Sequence, residues 1–297
     1  MQRINGYLNM GELKKLNKEI APSLYAKSWY TDGENEYLFK LENNYIAYKE
    51  LFYSHFMKRV GFPCVEVDLA MIGNKFGIMT KNYNLNHLQV YSVQKILDKY
   101  WDEIIRQINE EHKHFLIPTV YNAYEFNLKR LPNIIDVFLI ENENVKNPNM
   151  ENGCLLQFIA QVIGSNTDLR ATNMEIIIEE EKAIFSPLFD FGGYGEISFY
   201  RKKIIPYRFQ NQIIKEGEIV SPKETLKRFL KTANKQEIEI FREYLEKARE
   251  ETTKINEIEQ EIEEKIGIIL PSDIISYVRK KVKQNINDIA KVTYKHK

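Results

Sequence analysis

The chain has 297 residues, 43% of them hydrophobic and 28% charged, a profile that supports a substantial core and excludes intrinsic disorder. Its 42 basic and 42 acidic side chains cancel, which excludes a molecule-wide field for nucleic acid or an anionic membrane; such a partner would need a local patch. Cys64 and Cys154 are too few and too far apart for a disulfide framework or a cysteine zinc site, and both are expected to be buried thiols. No apolar run approaches the roughly 20 residues that span a bilayer, and charged residues arrive early with no secretory h-region before them, so a cytoplasmic location is expected.

In chain order, residues 24–31 and 36–41 read as a hairpin closed at Asp32-Gly33, with Lys40 at the end of its second strand. Tyr45, Tyr48, Phe52, Phe56 and Val60 recur at steps of three and four, so an amphipathic helix is expected over 44–60, stopped by Gly61 and Pro63. Strands are expected at 65–72 and 76–80 around Gly73-Asn74, followed by a lobe boundary near 81–88 and helices over 90–109 and 155–163. Short strands at 174–178 and 183–185 sit among loops. Ser221-Pro222-Lys223-Glu224 reads as a capping box, and the Glu- and Lys-rich stretch 236–265 and the segment 272–292 are expected to form a charged helical surface layer.

The chemistry concentrates in two loop segments. Thr-Asp-Leu-Arg-Ala-Thr-Asn at 167–173 precedes one short strand, and Pro-Leu-Phe-Asp-Phe-Gly-Gly at 187–193 follows its partner. Phosphoryl transfer needs a carboxylate to orient the attacking hydroxyl, plus an amide oxygen and a second carboxylate to hold magnesium against a triphosphate. Asp168, Asn173 and Asp190 supply those groups in that order. Upstream, a strand-end lysine followed by a glutamate on the next helix is the pair that positions nucleotide phosphates, and Lys40 and Glu50 fit it. His112 and His114 stand two apart, on different helix faces, and read as a solvated helix end; Tyr200-Arg201-Lys202-Lys203, with Arg208, reads as ordinary surface charge where a kinase would receive substrate.

These segments resemble the HipA-like serine/threonine protein kinases, a bacterial family that includes toxins of toxin–antitoxin systems. The likeness rests on Tyr37-Leu38-Phe39-Lys40, on the helix from Glu50 to Gly61, on Ile163 through Asp168 to Asn173, and on Ser186-Pro187-Leu188-Phe189-Asp190, and it covers roughly residues 20–230. It implies an α+β, two-lobed protein-kinase-like fold: a small β-rich N-lobe with one helix over 1–82, binding the nucleotide phosphates, and a larger, mainly helical C-lobe over 83–297. It makes Asp168 the catalytic base, Asn173 and Asp190 the Mg2+ ligands, Lys40 the ATP-phosphate contact with Glu50 beside it, and Met79, Thr80, Lys81 and Asn82 the adenine-binding hinge. Ser23 and Lys27 are the counterparts of the phosphate loop, although 21–27 contains no glycine, and Arg170 stands where many relatives carry histidine. The implied cofactors are ATP and Mg2+. The implied partners are a protein with a Ser/Thr acceptor and, in a toxin–antitoxin setting, an antitoxin protein, with no direct nucleic-acid or membrane binding. Two rival readings stay open at this stage: a small-molecule kinase of the aminoglycoside or choline type, and an inactive nucleotide-binding scaffold.

Overall fold

The computed structural model of the chain describes residues 1–18, 26–83, 88–100, 131–166, 173–195, 207–209, 212–215 and 222–295. Residues 3–81 are built on a seven-stranded sheet among the described residues, in the order β1-β2-β6-β7-β5-β4-β3. The strands are β1 (Arg3–Ile4), β2 (Tyr7–Asn9), β3 (Lys14–Leu16), β4 (Lys27–Thr31), β5 (Glu36–Leu41), β6 (Val67–Ile72) and β7 (Lys75–Lys81). The expected hairpins are both present. The three N-terminal strands were not anticipated: each is two or three residues long, and β2 pairs in parallel with β6 some sixty residues away, which leaves no local pattern to read.

Between the two hairpins lies α1 (Asn44–Val60), with the bounds the periodicity predicts. Its ends explain them. The Asn43 side chain accepts from the Ile46 N–H at the start, and Gly61, at φ 105°, bonds back to the carbonyls of Lys58 and Met57 at the end. The apolar row Tyr48, Phe52, Phe56 and Val60 is buried, whereas Tyr45, counted with that row, is exposed and packs edge-on against Tyr277. Ala47, Lys49, Glu50, Leu51, Tyr53 and Met57 are buried too, so α1 is covered on nearly every side.

What covers it is the C-terminal part of the chain, which is more than a charged surface layer. The expected continuous run over 236–265 divides at Lys254 into α6 (Lys235–Thr253) and α7 (Ile255–Ile266). Thr252 and Thr253 return their hydroxyls to the carbonyls of Arg249 and Glu250, a local competition with the helix ladder at the break. Phe241, Leu245 and Ala248 on one helix, and Ile255, Ile258, Ile262 and Ile266 on the next, are buried toward α1, while Glu and Lys occupy the outer faces. The last helix, α8 (Ser272–Lys295), packs on α6 and on α5 (Pro222–Thr232) and also touches α1. The Ser221 cap expected for α5 lies outside the described residues.

The middle of the chain begins with a correction. Residues 89–92 form a strand, β8 (Gln89–Ser92), and the helix expected from 90 starts only at α2 (Val93–Lys99), after Ser92 caps the N–H of Lys95. The reason is a distant partner: β8 pairs antiparallel with β9 (Glu175–Glu179), which in turn pairs with β10 (Lys182–Phe185). Residues 101–109, with His112 and His114, lie outside the described residues. Two helices, α3 (Leu131–Glu143) and α4 (Glu151–Gly164), follow, and α4 extends the expected 155–163 at both ends. A two-stranded piece, β11 (Tyr207–Phe209) with β12 (Gln212–Lys215), was not foreseen. Both thiols are unpaired, Cys154 buried and Cys64 only half-buried. No helix among the described residues is long and apolar enough to cross a membrane.

Candidate active site

Strand register puts two lysines on one face. In the β4–β5 pair Lys27 stands directly opposite Lys40, and residues opposite each other project to the same side. Ile78 and Thr80 share that face through the β5–β7 register, while Tyr37, Phe39 and Met79 alternate to the other side and join Met10 and Ala70 in a small second cluster. Of the expected hinge residues, Thr80 is therefore on the lysine face. Met79 is buried away from it, Lys81 continues the ladder opposite Tyr37, and Asn82 is tied to Glu36 by its side-chain amide and its backbone N–H.

The α1 helix carries Glu50 beneath this face. Lys40 Nζ donates to Glu50 Oε1 at 2.7 Å and to Asp190 Oδ1 at 2.9 Å, and Glu42 Oε1 also lies 2.9 Å away. Lys27 Nζ is 3.7 Å from the other oxygen of Asp190. Two cations and three carboxylates thus meet at the junction of β4, β5, α1 and the loop after β10. Glu42 was missed on sequence, yet a signal existed, since it stands two residues beyond Lys40 and so shares its side of an extended chain.

Asp190 reaches the lysine because its loop is stitched to the first half of the chain. Leu188 bridges to Cys64: its N–H donates to the carbonyl of Pro63 and its carbonyl accepts from Val65. Asp190 itself sits at φ 58°, ψ 69°, a left-handed conformation that is costly for a residue other than glycine and that tends to persist at functional sites. Phe191 is then fully buried against Tyr194, their ring centroids 5.0 Å apart. Gly192 has a steric reason: a Cβ there would lie 2.9 Å from Glu50 Oε1 and 3.5 Å from both Lys40 Nζ and Asp190 Oδ1, inside the charge cluster.

Burial and charge set the protonation states. Burial works against the Lys40 ammonium, but Glu50 and Asp190 outweigh it and hold its pKa above the ordinary lysine range. Burial pushes Glu50 up to about 7, with Lys40 pulling the other way. Glu42 is raised from the same cause. For Asp190 burial is outweighed by Lys40 and then Lys27, so its carboxyl is lowered and stays ionised, as a cation ligand must be.

Asn173 stands two residues before β9, and Asp190 five residues after β10. The hairpin holds its open end together through the pair Ile176–Phe185 and through the Ser186 N–H donating to the Glu175 carbonyl, so both residues leave the same end of one hairpin. That donor set, one amide oxygen and one ionised carboxylate, suits magnesium, which keeps several waters and binds few protein groups beside substrate phosphates. No group of three or more His, Cys, Asp and Glu among the described residues could hold a metal by itself. Asp168, Arg170 and Ser23 lie outside the described residues, as does the Tyr200–Lys203 stripe. Asn166, the last described residue before Thr167, is buried and bonded to the Tyr194 hydroxyl, a link that ties the chain just beyond α4 to the Asp-Phe-Gly turn.

No family model matches the chain, and no curated protein matches it in sequence. Its fold is nonetheless similar to solved structures. The Helicobacter pylori proinflammatory kinase CtkA aligns over 98% of both chains with a TM-score of 0.65 at 14% identity. A chain of the Shewanella oneidensis MR-1 toxin–antitoxin complex of HipA, HipB and operator DNA aligns over 93% of this chain and 67% of that one, with a TM-score of 0.54 at 10% identity. At such identities the likeness is one of architecture: the chain has a two-lobed, protein-kinase-like fold.

Proposed function

We propose that this chain is a magnesium-dependent ATP phosphotransferase, a HipA-like kinase that transfers the γ-phosphoryl group to a serine or threonine hydroxyl of a protein. The observation that carries the reading is the convergence on Lys40 of Glu50 from α1 and Asp190 from the far loop, at 2.7 and 2.9 Å. This is the lysine, helix glutamate and Asp-Phe-Gly aspartate set on which kinase phosphate binding depends. The kinase-like fold supports it.

In this reading residues 1–82 form the N-lobe that cradles the nucleotide and 83–297 the C-lobe that carries the reaction. Lys40 holds the α- and β-phosphates, oriented by Glu50, and Lys27 adds a second cation on the same face. The chain from Met79 to Asn82, with Thr80 nearest the lysine face, borders the adenine, and Ser23 contributes to the phosphate loop. Asn173 and Asp190 would hold the magnesium, which when bound neutralises charge developing on the phosphates. Asp168 accepts the proton of the acceptor hydroxyl as its oxygen attacks the γ-phosphorus, and the bond from that phosphorus to the β,γ-bridging oxygen breaks to release ADP. A toxin role, with an antitoxin protein as partner, belongs to the same proposal through the HipA-like resemblance.

The test is incubation of the purified protein with Mg2+ and γ-labelled ATP, alone and with a cell lysate, followed by intact-mass analysis and separation of protein from metabolites. Label entering serine or threonine of a protein supports the reading. Label found only in small metabolites makes the chain a small-molecule kinase, and no transfer under any condition sinks the phosphotransferase assignment.

A further inference from the structure

We propose that Glu42 is a second positioning residue for Lys40, one that works with Glu50 to keep the ammonium group aimed at the phosphates. The inference rests on the phosphotransferase reading and extends it to a residue that the lysine–glutamate pairing of kinases does not include.

Glu42 is pinned by backbone. Its N–H donates to the Phe76 carbonyl, the β5–β7 ladder ends one residue earlier at the Leu41–Gly77 pair, and Asn43, the cap of α1, is the next residue. Its side chain has no exposed surface. One carboxylate oxygen lies 2.9 Å from Lys40 Nζ, and that ion pair is the one close contact of the carboxylate among the described residues. A buried carboxylate in that condition is expensive, and structure alone gives no return for it.

The three donors of Lys40 supply the reason. An ammonium group has three N–H bonds, and here three carboxylates stand within 2.9 Å of it. A magnesium ion held by Asp190 would draw that carboxylate's charge away from the lysine. Glu42 and Glu50, both buried, would then be the carboxylates that keep the ammonium group in place beside the phosphates. Lys27, whose Nζ lies 3.7 Å from Asp190, adds a weaker attraction on Glu42.

The test compares wild type with Glu42→Gln, Glu42→Asp and Glu50→Gln by two readouts. The first is the rate at which an amine-reactive acylating reagent labels Lys40, followed by peptide mass spectrometry; it needs no turnover. The second is the split between KM for MgATP and kcat. Losing one charge-assisted hydrogen bond corresponds to about tenfold, so Glu42→Gln is expected to label faster and to raise KM by about that factor, with a smaller effect on kcat. Glu42→Asp, which keeps the charge, should recover part of both. Unchanged labelling and unchanged KM in folded Glu42→Gln overturn the proposal; if that variant does not fold, wild-type values in Glu42→Asp together with full labelling protection overturn it equally. If MgATP fails to protect Lys40 in wild type, the phosphotransferase reading has failed, and the comparison of labelling rates between variants still decides the role of Glu42.

Discussion

Lys40 and Asp190 stand 150 residues apart in the chain and 2.9 Å apart in space, and Lys40 is the donor that closes the gap. The contact joins the strand that delivers the ammonium group to the loop that delivers the candidate metal ligand. Everything proposed about turnover depends on both ends of it.

Lys40→Met should reduce phosphoryl transfer by on the order of 100-fold or more, the scale of a lost phosphate contact in a preorganised site. It also takes the nearest cation from Glu42 and Glu50 and leaves Asp190 with the more distant Lys27. Glu50, already at about 7, then rises further, and a carboxyl whose folded pKa exceeds its unfolded one favours the folded state only while it stays protonated. The melting temperature of Lys40→Met should therefore fall further below that of wild type as pH rises from about 5.5 to 8.5. A gap that stays constant with pH would contradict this.

Substitutions at the three oxygen-bearing groups should separate binding from chemistry. Asp168→Ala should lower turnover by about 10²–10⁴-fold, the usual worth of a general base, while MgATP affinity stays close to wild type. Asp190→Asn and Asn173→Ala should lose turnover together with the magnesium dependence of nucleotide binding. Calorimetric titration with ATP in the presence and absence of Mg2+ distinguishes the two patterns.

Arg59 holds α1 to the C-terminal helices. Its Nε donates to Glu251 at 2.5 Å, and its two terminal nitrogens reach Glu261 and Glu257 at 2.6 and 3.0 Å. Glu251 is nearly buried, while the other two acids are more than half exposed. Arg59→Ala should cost about 1–2 kcal/mol, most of it from the Glu251 pair, because exposed pairs contribute little and are screened by salt. Urea denaturation at low and high salt measures this: the wild-type advantage should shrink with salt without vanishing. Turnover should fall as well, since α1 also carries Glu50.

Glu175 gives the clearest pH signature. Burial pushes its carboxyl from 4.5 up to about 7, and the Tyr83 hydroxyl donates to it. The folded state binds this proton more tightly than the unfolded one, so the contribution is full below about pH 4.5 and is lost as pH rises through about 7. The shift corresponds to up to about 3 kcal/mol. Glu175→Gln should remove that share of the stability lost between pH 5 and 8 in denaturant titrations; identical slopes for the two proteins would refute the assignment.

Some of this was legible without coordinates. The bounds of α1 follow from Asn43, the apolar spacing and Gly61, and the first hairpin follows from Asp32-Gly33 between two aromatic strands, because capping and turn chemistry act over a few residues. The pairing of Lys40 with Glu50 was readable for a similar reason, being one strand end and one helix face ten residues apart. The strand at Gln89–Ser92 was not, since its partner β9 lies more than eighty residues on and overrides the helical rhythm that begins at Val93. Glu42 was passed over because its two-residue spacing from Lys40 puts it on the same side of the strand but does not mark it as buried.

By itself the sequence determined the local elements and the set of chemical groups: a lysine at a strand end, a glutamate on the following helix, and Asp168, Asn173 and Asp190 flanking one hairpin. Only the tertiary structure decided which of them meet and at what protonation. A charge is buried by elements from anywhere in the chain, and here α6 and α7 enclose α1, the Pro63–Val65 segment fixes Leu188, and the two together bring three carboxylates around one ammonium group.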